Sequence, residues 1–217
     1  MAKEDSMKTI VCFGDSNTFG FSGKASDFCK RLPYSARWTT VLQRRLGGAA
    51  LVIPEGLNGR TTTFDDSLNW VCHGTSEAEG ANGRRYLLPC LHSHKPVDLV
   101  VLGLGCNDLK TRFSLTPVEI ATSCRLLVRD IKNSTCGPDD KAPKIVLVSV
   151  PAVNLTDSCP DFGPDRASRS RKTIEAYRQM AKEEELSGFV SLAEVPTSDD
   201  GLHFDEAGSA TIGGLVA

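Results

Sequence analysis

Short apolar runs alternate along the chain with longer segments in which apolar residues recur at helical spacing. Five runs predict strands, at 9–13, 50–53, 98–103, 144–150 and 188–192. Runs this apolar are typical of strands that are buried on both faces of a parallel sheet. Their alternation with helices predicts an α/β fold in three layers, with a central five-stranded parallel sheet between two layers of helices.

The helical segments carry start and stop residues that agree with known capping preferences. One segment covers 35–46 and is followed by Gly47; a second begins at Pro117 after a Thr116 cap. A third helix is predicted over 165–186, and a short final helix from about Asp205.

The segment 61–94 has weak periodicity and several Gly, Asn and Ser residues. It is long for a connection, and such insertions in compact domains are often functional. We therefore predict a long loop insertion near the active site or at an interface. Residues 1–8 are expected to be a tail, and the 217 residues are interpreted as one domain, 1–217.

Composition and charge exclude several classes of partner. Hydrophobic residues at 40% and charged residues at 24% are ordinary for a soluble globular protein. A formal net charge of −2 gives no basic field for a nucleic-acid backbone. The N-terminal stretch lacks the pattern of a secretory signal, and the longest apolar segments fall short of the roughly 20 residues that span a bilayer. We expect a soluble cytoplasmic protein with no nucleic-acid or membrane partner.

The eight cysteines are expected to be free thiols in that compartment. Cys12 lies in a predicted strand, where cysteine behaves as a small hydrophobe, and we expect buried packing for both Cys12 and Cys106.

Histidines and further cysteines gather in the segment 61–94, where the stretch "CLHSH" suggests metal ligands. The spacing matches no standard zinc pattern, so these residues are interpreted as solvated loop residues and no metal is expected. They are Cys72, His73, Cys90, His92 and His94.

Four polar clusters follow predicted strands, where ligands gather in an open parallel sheet. They contain "GDSN" (14–17), "EGLNGRTT" (55–62), "GLGCND" (103–108) and "DDGLHFDEAG" (199–208). Four separated clusters at one edge of the sheet are harder to explain by turn chemistry than any one cluster alone. Their residue types permit acyl transfer.

A serine nucleophile needs an adjacent base, and the base needs a third group to fix its tautomer. Ser16 is the candidate nucleophile, His203 the base and Asp200 the orienting acid. Because Asp200 and His203 lie three residues apart on one turn, the carboxylate can reach Nδ1 while Nε2 faces outward.

A tetrahedral intermediate needs donors aimed at its oxyanion. We predict the backbone N–H groups of Ser16 and Gly59 and the side-chain amide of Asn107 as those donors. The substrate itself is expected to contact Asp15, Asn17 and Arg60.

Other interpretations of the same residues remain open. Ser16 could be an ordinary helix N-cap, Asn107 could hold a loop by hydrogen bonds to backbone, and Asp199 could orient the base instead of Asp200. The α/β-hydrolase elbow G-x-S-x-G fails at Thr18, and no G-x-x-x-x-G-K-[ST] phosphate loop is present. "GLGCND" lacks the third glycine of a dinucleotide fingerprint.

The ordered motifs resemble the four blocks of the SGNH (GDSL-type) hydrolase superfamily. The similarity runs from Ser16 to His203 and is closest to the bacterial arylesterase group. The stretches that carry it are "GDSNTFG", "RWTTVLQRRLG", "EGLNGRTT", "YLLPCLHSHKPVDLVVLGLGCNDLK" and "DGLHFDEAG".

This resemblance implies a flavodoxin-like α/β/α fold and ester hydrolysis by a Ser–Asp–His triad with no metal and no cofactor. It matches Ser16 to the nucleophile, Gly59 and Asn107 to oxyanion donors, and Asp200 and His203 to the acid and base. It also implies short acyl chains, acetyl above all, possible acyl transfer, and a homo-oligomer of four or more subunits.

Three alternatives follow from the same fold. A carbohydrate O-acetyl esterase is the alternative enzyme. A catalytically silent ligand-binding domain and a flavin-binding protein are the alternatives from other classes. The intact set of Ser16, Asn107, Asp200 and His203 counts against the silent domain.

Overall fold

The structure is a computed structural model that describes residues 7–24, 26, 30–68, 81–154 and 160–217. Its five strands form one parallel sheet in the order β2-β1-β3-β4-β5. The strands are β1 (Lys8–Gly14), β2 (Ala50–Gly56), β3 (Leu99–Gly103), β4 (Lys144–Val148) and β5 (Gly188–Val190). The predicted α/β fold with a central five-stranded parallel sheet is confirmed.

Helices cover both faces of the sheet. They are α1 (Ser16–Phe19), α2 (Trp38–Leu46), α3 (Gly83–Ser93), α4 (Pro117–Lys132), α5 (Arg166–Glu183) and α6 (Glu206–Val216). Buried residues of α3, α4 and α5 share one core cluster, and those of α2 and α6 share another. The sheet therefore lies between two helical layers.

Alternation along β1 supplies both cores. Val11 and Phe13 belong to the cluster under α3, α4 and α5, whereas Ile10 and Cys12 belong to the cluster under α2 and α6. Successive strand residues point to opposite faces, which explains why the sequence run is continuously apolar. Cys12 is fully buried as predicted, and burial raises the pKa of its thiol well above the ordinary value.

The helix starts follow their caps. Thr116 and Glu119 form a reciprocal capping box, with Pro117 as the first helical residue. The Asp205 side chain accepts a hydrogen bond from the Gly208 N–H at 2.9 Å and begins α6, as the sequence predicts.

Some predicted ends differ from the structure. The segment 35–46 is not one helix, because Arg37 is extended (φ −66°, ψ 138°) and separates a short 3₁₀ turn, Tyr34–Ala36, from α2. The strands β4 and β5 each end two residues before the predicted boundary.

The prediction of a loop over 61–94 is wrong for its second half, which forms α3. Asn82 caps this helix by accepting a hydrogen bond from the Arg85 N–H at 3.3 Å. Leu87 and Leu91, four residues apart, are completely buried, and their packing in the core stabilises the helix. Pro89 lies inside the helix, where proline is normally disfavoured. This proline argues against a helix when only the sequence is considered.

Several sequence predictions lie outside the described residues. Residues 1–6 of the predicted tail and 69–80 of the predicted loop, which includes Cys72 and His73, are among them. Within the described part of the chain, no helix is long and apolar enough to cross a membrane.

Three adjacent strands, β2, β1 and β3, end in glycines that lie side by side. Gly14 is in register with Gly56 on one neighbour and with Gly103 on the other. A Cβ on Gly14 would lie 2.1 Å from Thr18 Oγ1, and one on Gly56 would lie 2.1 Å from the Phe19 backbone nitrogen. The glycines therefore allow the turn after β1 to fold tightly onto this edge of the sheet.

Candidate active site

Ser16 begins the four-residue helix α1, two residues beyond the end of β1. The Asp15 side chain accepts a hydrogen bond from the Asn17 N–H at 3.0 Å and starts the helical turn. Gly20, with φ +87°, ends it in the left-handed conformation that favours glycine. The turn is thus fixed at both ends, and Ser16 is only 8% exposed.

Ser16, His203 and Asp200 form a hydrogen-bonded chain. His203 Nε2 lies 2.8 Å from Ser16 Oγ, and His203 Nδ1 lies 2.6 Å from Asp200 Oδ2. The other carboxylate oxygen, Asp200 Oδ1, accepts the backbone N–H groups of Leu202 and His203, both at 2.9 Å. The structure therefore brings together the three predicted catalytic residues across 187 positions of sequence.

Asp200 remains ionised in this setting. Burial by itself would raise its pKa, but the hydrogen bond and positive charge of His203, together with the N–H groups of Leu202 and His203, bring the pKa below its ordinary value. An ionised Asp200 accepts the hydrogen bond from His203 Nδ1–H and so orients the ring with Nε2 facing Ser16. Of the two candidate acids, the structure places Asp200 beside His203, whereas Asp199 is exposed.

The segment after α1 supports the imidazole and its acid, a role that the sequence analysis missed. The Phe21 ring packs on His203 with centroids 4.6 Å apart. The Gly23 carbonyl accepts the Asp200 N–H at 3.2 Å. A Cβ on Gly23 would lie 2.6 Å from Asp200 Oδ1. In the sequence, this role is indicated by nothing more than the residue types at the two positions, an aromatic and a glycine.

A hydrogen bond joins the two loops that carry Gly59 and Asn107, the predicted oxyanion donors. The Asn107 amide nitrogen donates to the Arg60 carbonyl at 3.1 Å, next to Gly59 in the chain. Gly59 has φ +76°, a conformation that a residue with a side chain adopts only with strain. Because an amide nitrogen carries two hydrogens, the bond orients Asn107 and leaves its second donor available.

Asp108 joins the same two loops. Its fully buried carboxylate accepts the backbone N–H of Thr62 at 3.0 Å and also the Thr62 hydroxyl. Burial, only partly offset by these hydrogen bonds, raises the pKa of Asp108 from 3.8 to about 6. Asp108 thus ties the loop of Gly59 and Thr62 to the segment that carries Asn107.

This raised pKa predicts a pH-dependent stability difference for Asp108→Asn. Between pH 3.8 and about 6 the native protein holds a proton that the unfolded chain has released, so wild-type stability falls as pH rises. Asparagine has no such proton, and the unfolding free energy of the variant relative to wild type should therefore rise by on the order of 2 kcal/mol across this range. Urea unfolding at a series of pH values measures it.

The surface variant Asp139→Asn controls for the removal of one charge. A difference between Asp108→Asn and wild type that stayed constant with pH would show that Asp108 does not titrate in this range.

Arg60 was predicted to contact substrate, but the structure places it under the site. It is 3% exposed, and its guanidinium donates to the carbonyls of Gly14 and Glu55. The guanidinium carbon also lies 4.4 Å from the centre of the Phe13 ring. Its buried Nε has no hydrogen-bond partner among the described residues. The burial and the two carbonyl contacts indicate that Arg60 holds the loop of Gly59 rather than substrate.

Asp15 and Asn17 flank the candidate nucleophile in different ways. Asp15 is 3% exposed, and burial raises its pKa to about 6 despite the nearby N–H of Asn17 and the charge of His203. Asn17 lines a cavity of about 30 Å³ beside Cys106 and Ser149, and its buried side-chain oxygen has no hydrogen-bond partner among the described residues. Asp15 lines the same cavity and also starts the helical turn of Ser16.

Comparison with known proteins identifies relatives of this chain. Residues 12–211 match the model of the GDSL-like Lipase/Acylhydrolase family. A carbohydrate acetylesterase family member from Sinorhizobium meliloti is 34% identical, with a TM-score of 0.84 over 97% of this chain and 95% of its own. The aryl esterase of M. smegmatis is 33% identical, with a TM-score of 0.83 over 96% of each chain. A putative arylesterase from Agrobacterium tumefaciens is 33% identical, with a TM-score of 0.84 over 97% of each chain.

A search of curated proteins finds no match. The fold and the similar structures define a carboxylic ester hydrolase. The chain belongs to the GDSL-like lipase/acylhydrolase family, and the resemblance to SGNH hydrolases of the arylesterase group is confirmed.

Proposed function

We propose that this esterase cleaves esters of short acyl groups, acetyl above all, through an acyl intermediate on Ser16. The observation that carries the proposal is the hydrogen-bonded chain from Ser16 Oγ through the His203 ring to Asp200. A serine in this arrangement is activated because the base accepts its proton as the carbonyl is attacked.

In the first half of the reaction, Ser16 Oγ attacks the acyl carbonyl while its proton moves to His203 Nε2. Asp200 stabilises the imidazolium that forms and does not take the proton itself. His203 then protonates the leaving alcohol, the ester bond breaks, and the acyl group remains on Ser16.

In the second half, water loses a proton to His203 Nε2 and attacks the acyl-serine. Collapse of the intermediate returns the proton to Ser16 Oγ and releases the carboxylic acid. An alcohol that enters in place of water would accept the acyl group, so acyl transfer requires no further residue.

The oxyanion of both tetrahedral intermediates is assigned to the N–H groups of Ser16 and Gly59 and the amide of Asn107. Asn107→Ala removes one donor and should lower kcat by about 10²- to 10³-fold, with a smaller effect on KM, because the bond strengthens in the transition state. Steady-state kinetics on an aryl acetate measures this. The surface variant Asn133→Ala is the control, and near-wild-type kcat in Asn107→Ala would remove Asn107 from the oxyanion site.

The acyl group and the alcohol are tested with different substrate series. With p-nitrophenyl acetate, butyrate and octanoate, kcat/KM should be highest for acetate and fall at each longer chain. The substrates share one leaving group, so the comparison reports the acyl site alone. Higher kcat/KM on octanoate would contradict the short-acyl proposal while leaving the Ser16 mechanism intact.

A carbohydrate O-acetyl esterase is the second candidate, supported by the similarity to the Sinorhizobium meliloti carbohydrate acetylesterase family member. An acetylated sugar and an aryl acetate differ only in the alcohol. Acetate release from acetylated xylose that exceeded release from phenyl acetate would favour this candidate. The homo-oligomer of four or more subunits and the cytoplasmic location remain predictions.

A further inference from the structure

A cluster of three potential metal ligands lies at the junction of β2 and α3. Glu55 is next to the last residue of β2, before the loop of Gly59. Cys90 is in α3, and His94 caps the end of that helix. One ligand atom from each of the three residues, a carboxylate oxygen, the thiol sulfur and an imidazole nitrogen, lies within 4.8 Å of the others.

The fold brings these three residues together, and the spacing of cysteine and histidine in the sequence does not predict it. Cys90 and His94 are four residues apart and therefore share one face of α3. The third member comes from β2, 35 positions before Cys90 in the sequence. This is why the stretch "CLHSH", considered by itself, matches no standard zinc pattern.

The cluster combines a closed side with an open one. Cys90 is 1% exposed, whereas the side chains of His94 and Glu55 are 27% and 21% exposed. An ion can therefore reach the ligands from the side of His94 and Glu55, and the sulfur lies behind them.

We propose that Glu55, Cys90 and His94 bind one Zn²⁺ ion, with solvent as the fourth ligand. Thiolate, imidazole and carboxylate are the donors that zinc accepts in proteins, and a thiolate selects against Mg²⁺ and Ca²⁺. His94 Nε2 lies 2.8 Å from Glu55 Oε1, so two of the donors already converge.

Binding is balanced in atoms and charge. The Cys90 S–H bond breaks, its proton leaves to solvent, and a sulfur lone pair forms the bond to zinc. The proton that His94 Nε2 donates to Glu55 also leaves to solvent while Nδ1 takes one up, so that the Nε2 lone pair binds the ion. The Glu55 carboxylate and the Cys90 thiolate offset the charge of Zn²⁺. The adjacent guanidinium of Arg60, whose carbon lies 5.3 Å from the centre of the Tyr86 ring, keeps its hydrogen bonds to backbone carbonyls.

The ion would join both ends of the segment that carries Gly59 and Thr62. The ligands come together only in the folded protein, and an ion that binds the native state and not the unfolded chain stabilises the native state. The site is therefore assigned a structural role, separate from the reaction at Ser16.

Cobalt(II) is the probe for this site because it takes the place of zinc and is coloured. Metal-free protein titrated with Co²⁺ should show a thiolate-to-cobalt charge-transfer band that saturates at one equivalent. Cys90→Ser should lose this band, and His94→Ala should weaken Co²⁺ binding at least about tenfold. The matched control is His92→Ala, which removes an exposed histidine on the same helix.

Thermal unfolding gives a second measurement that does not depend on esterase activity. Zinc at roughly a hundredfold excess over its dissociation constant should raise Tm by about 5 to 10 °C in wild type and His92→Ala, but not in Cys90→Ser. Absence of the charge-transfer band in wild type, or its persistence in Cys90→Ser, would overturn the proposal. If Cys90→Ser fails to fold, His94→Gln replaces it, and an unchanged zinc-dependent Tm shift in that variant would also overturn it.

Discussion

Ser16→Ala should lower kcat by about 10⁴- to 10⁶-fold and leave the fold unchanged. The expected loss is this large because the variant removes the atom that attacks the carbonyl and accepts the acyl group. Hydroxyl removal leaves a small gap beside His203 and disturbs no backbone hydrogen bond of α1, since those bonds use main-chain atoms. Steady-state hydrolysis of p-nitrophenyl acetate, with circular dichroism to verify folding, measures the effect.

The matched control is Ser35→Ala, which removes an exposed serine hydroxyl on the 3₁₀ turn before α2. It should retain wild-type kcat. Turnover by folded Ser16→Ala within tenfold of wild type would mean that Ser16 is an N-cap residue, the alternative that the sequence left open.

Asp200→Asn has the second largest expected effect, a loss of about 10⁴-fold in kcat. The backbone N–H groups of Leu202 and His203 require an acceptor at the position of Asp200 Oδ1. The asparagine oxygen will therefore occupy that position, and its NH₂ group will face His203 Nδ1. Nδ1 must then accept, which places the imidazole proton on Nε2 and removes the base that Ser16 needs.

Asp199→Asn is the control for this prediction, because Asp199 is the neighbouring acid that the sequence could not exclude. Kinetics of the two variants on one substrate decide between them. A large loss in Asp199→Asn with little loss in Asp200→Asn would show that the orienting acid had been assigned wrongly.

The sheet and most of the site were predictable because their signals are local. An apolar run that ends in glycine predicts a buried strand, and the polar residues directly after three such strands fall at one edge of the sheet. Ser16 and Asn107 lie within such short stretches. Gly14, Gly56 and Gly103 then share one level of the sheet, as the register shows.

The parts that were missed depend on contacts between distant segments. Packing of Phe21 on His203 and the hydrogen bond from Asp200 to Gly23 join the two ends of the chain. No periodicity reports such a contact. The burial of Arg60 could not be predicted for the same reason, because its carbonyl partners are set by the fold of β1 and β2.

The most direct test of the central claim is to locate the acyl group on the enzyme. Wild-type protein is mixed with excess p-nitrophenyl acetate and quenched in acid during the first turnovers. The protein is then digested and its peptides are examined by tandem mass spectrometry. We expect one acetyl group on Ser16, absent from Ser16→Ala treated in the same way. An acetyl group on another residue that turns over at the rate of hydrolysis, with Ser16 unmodified, would contradict it.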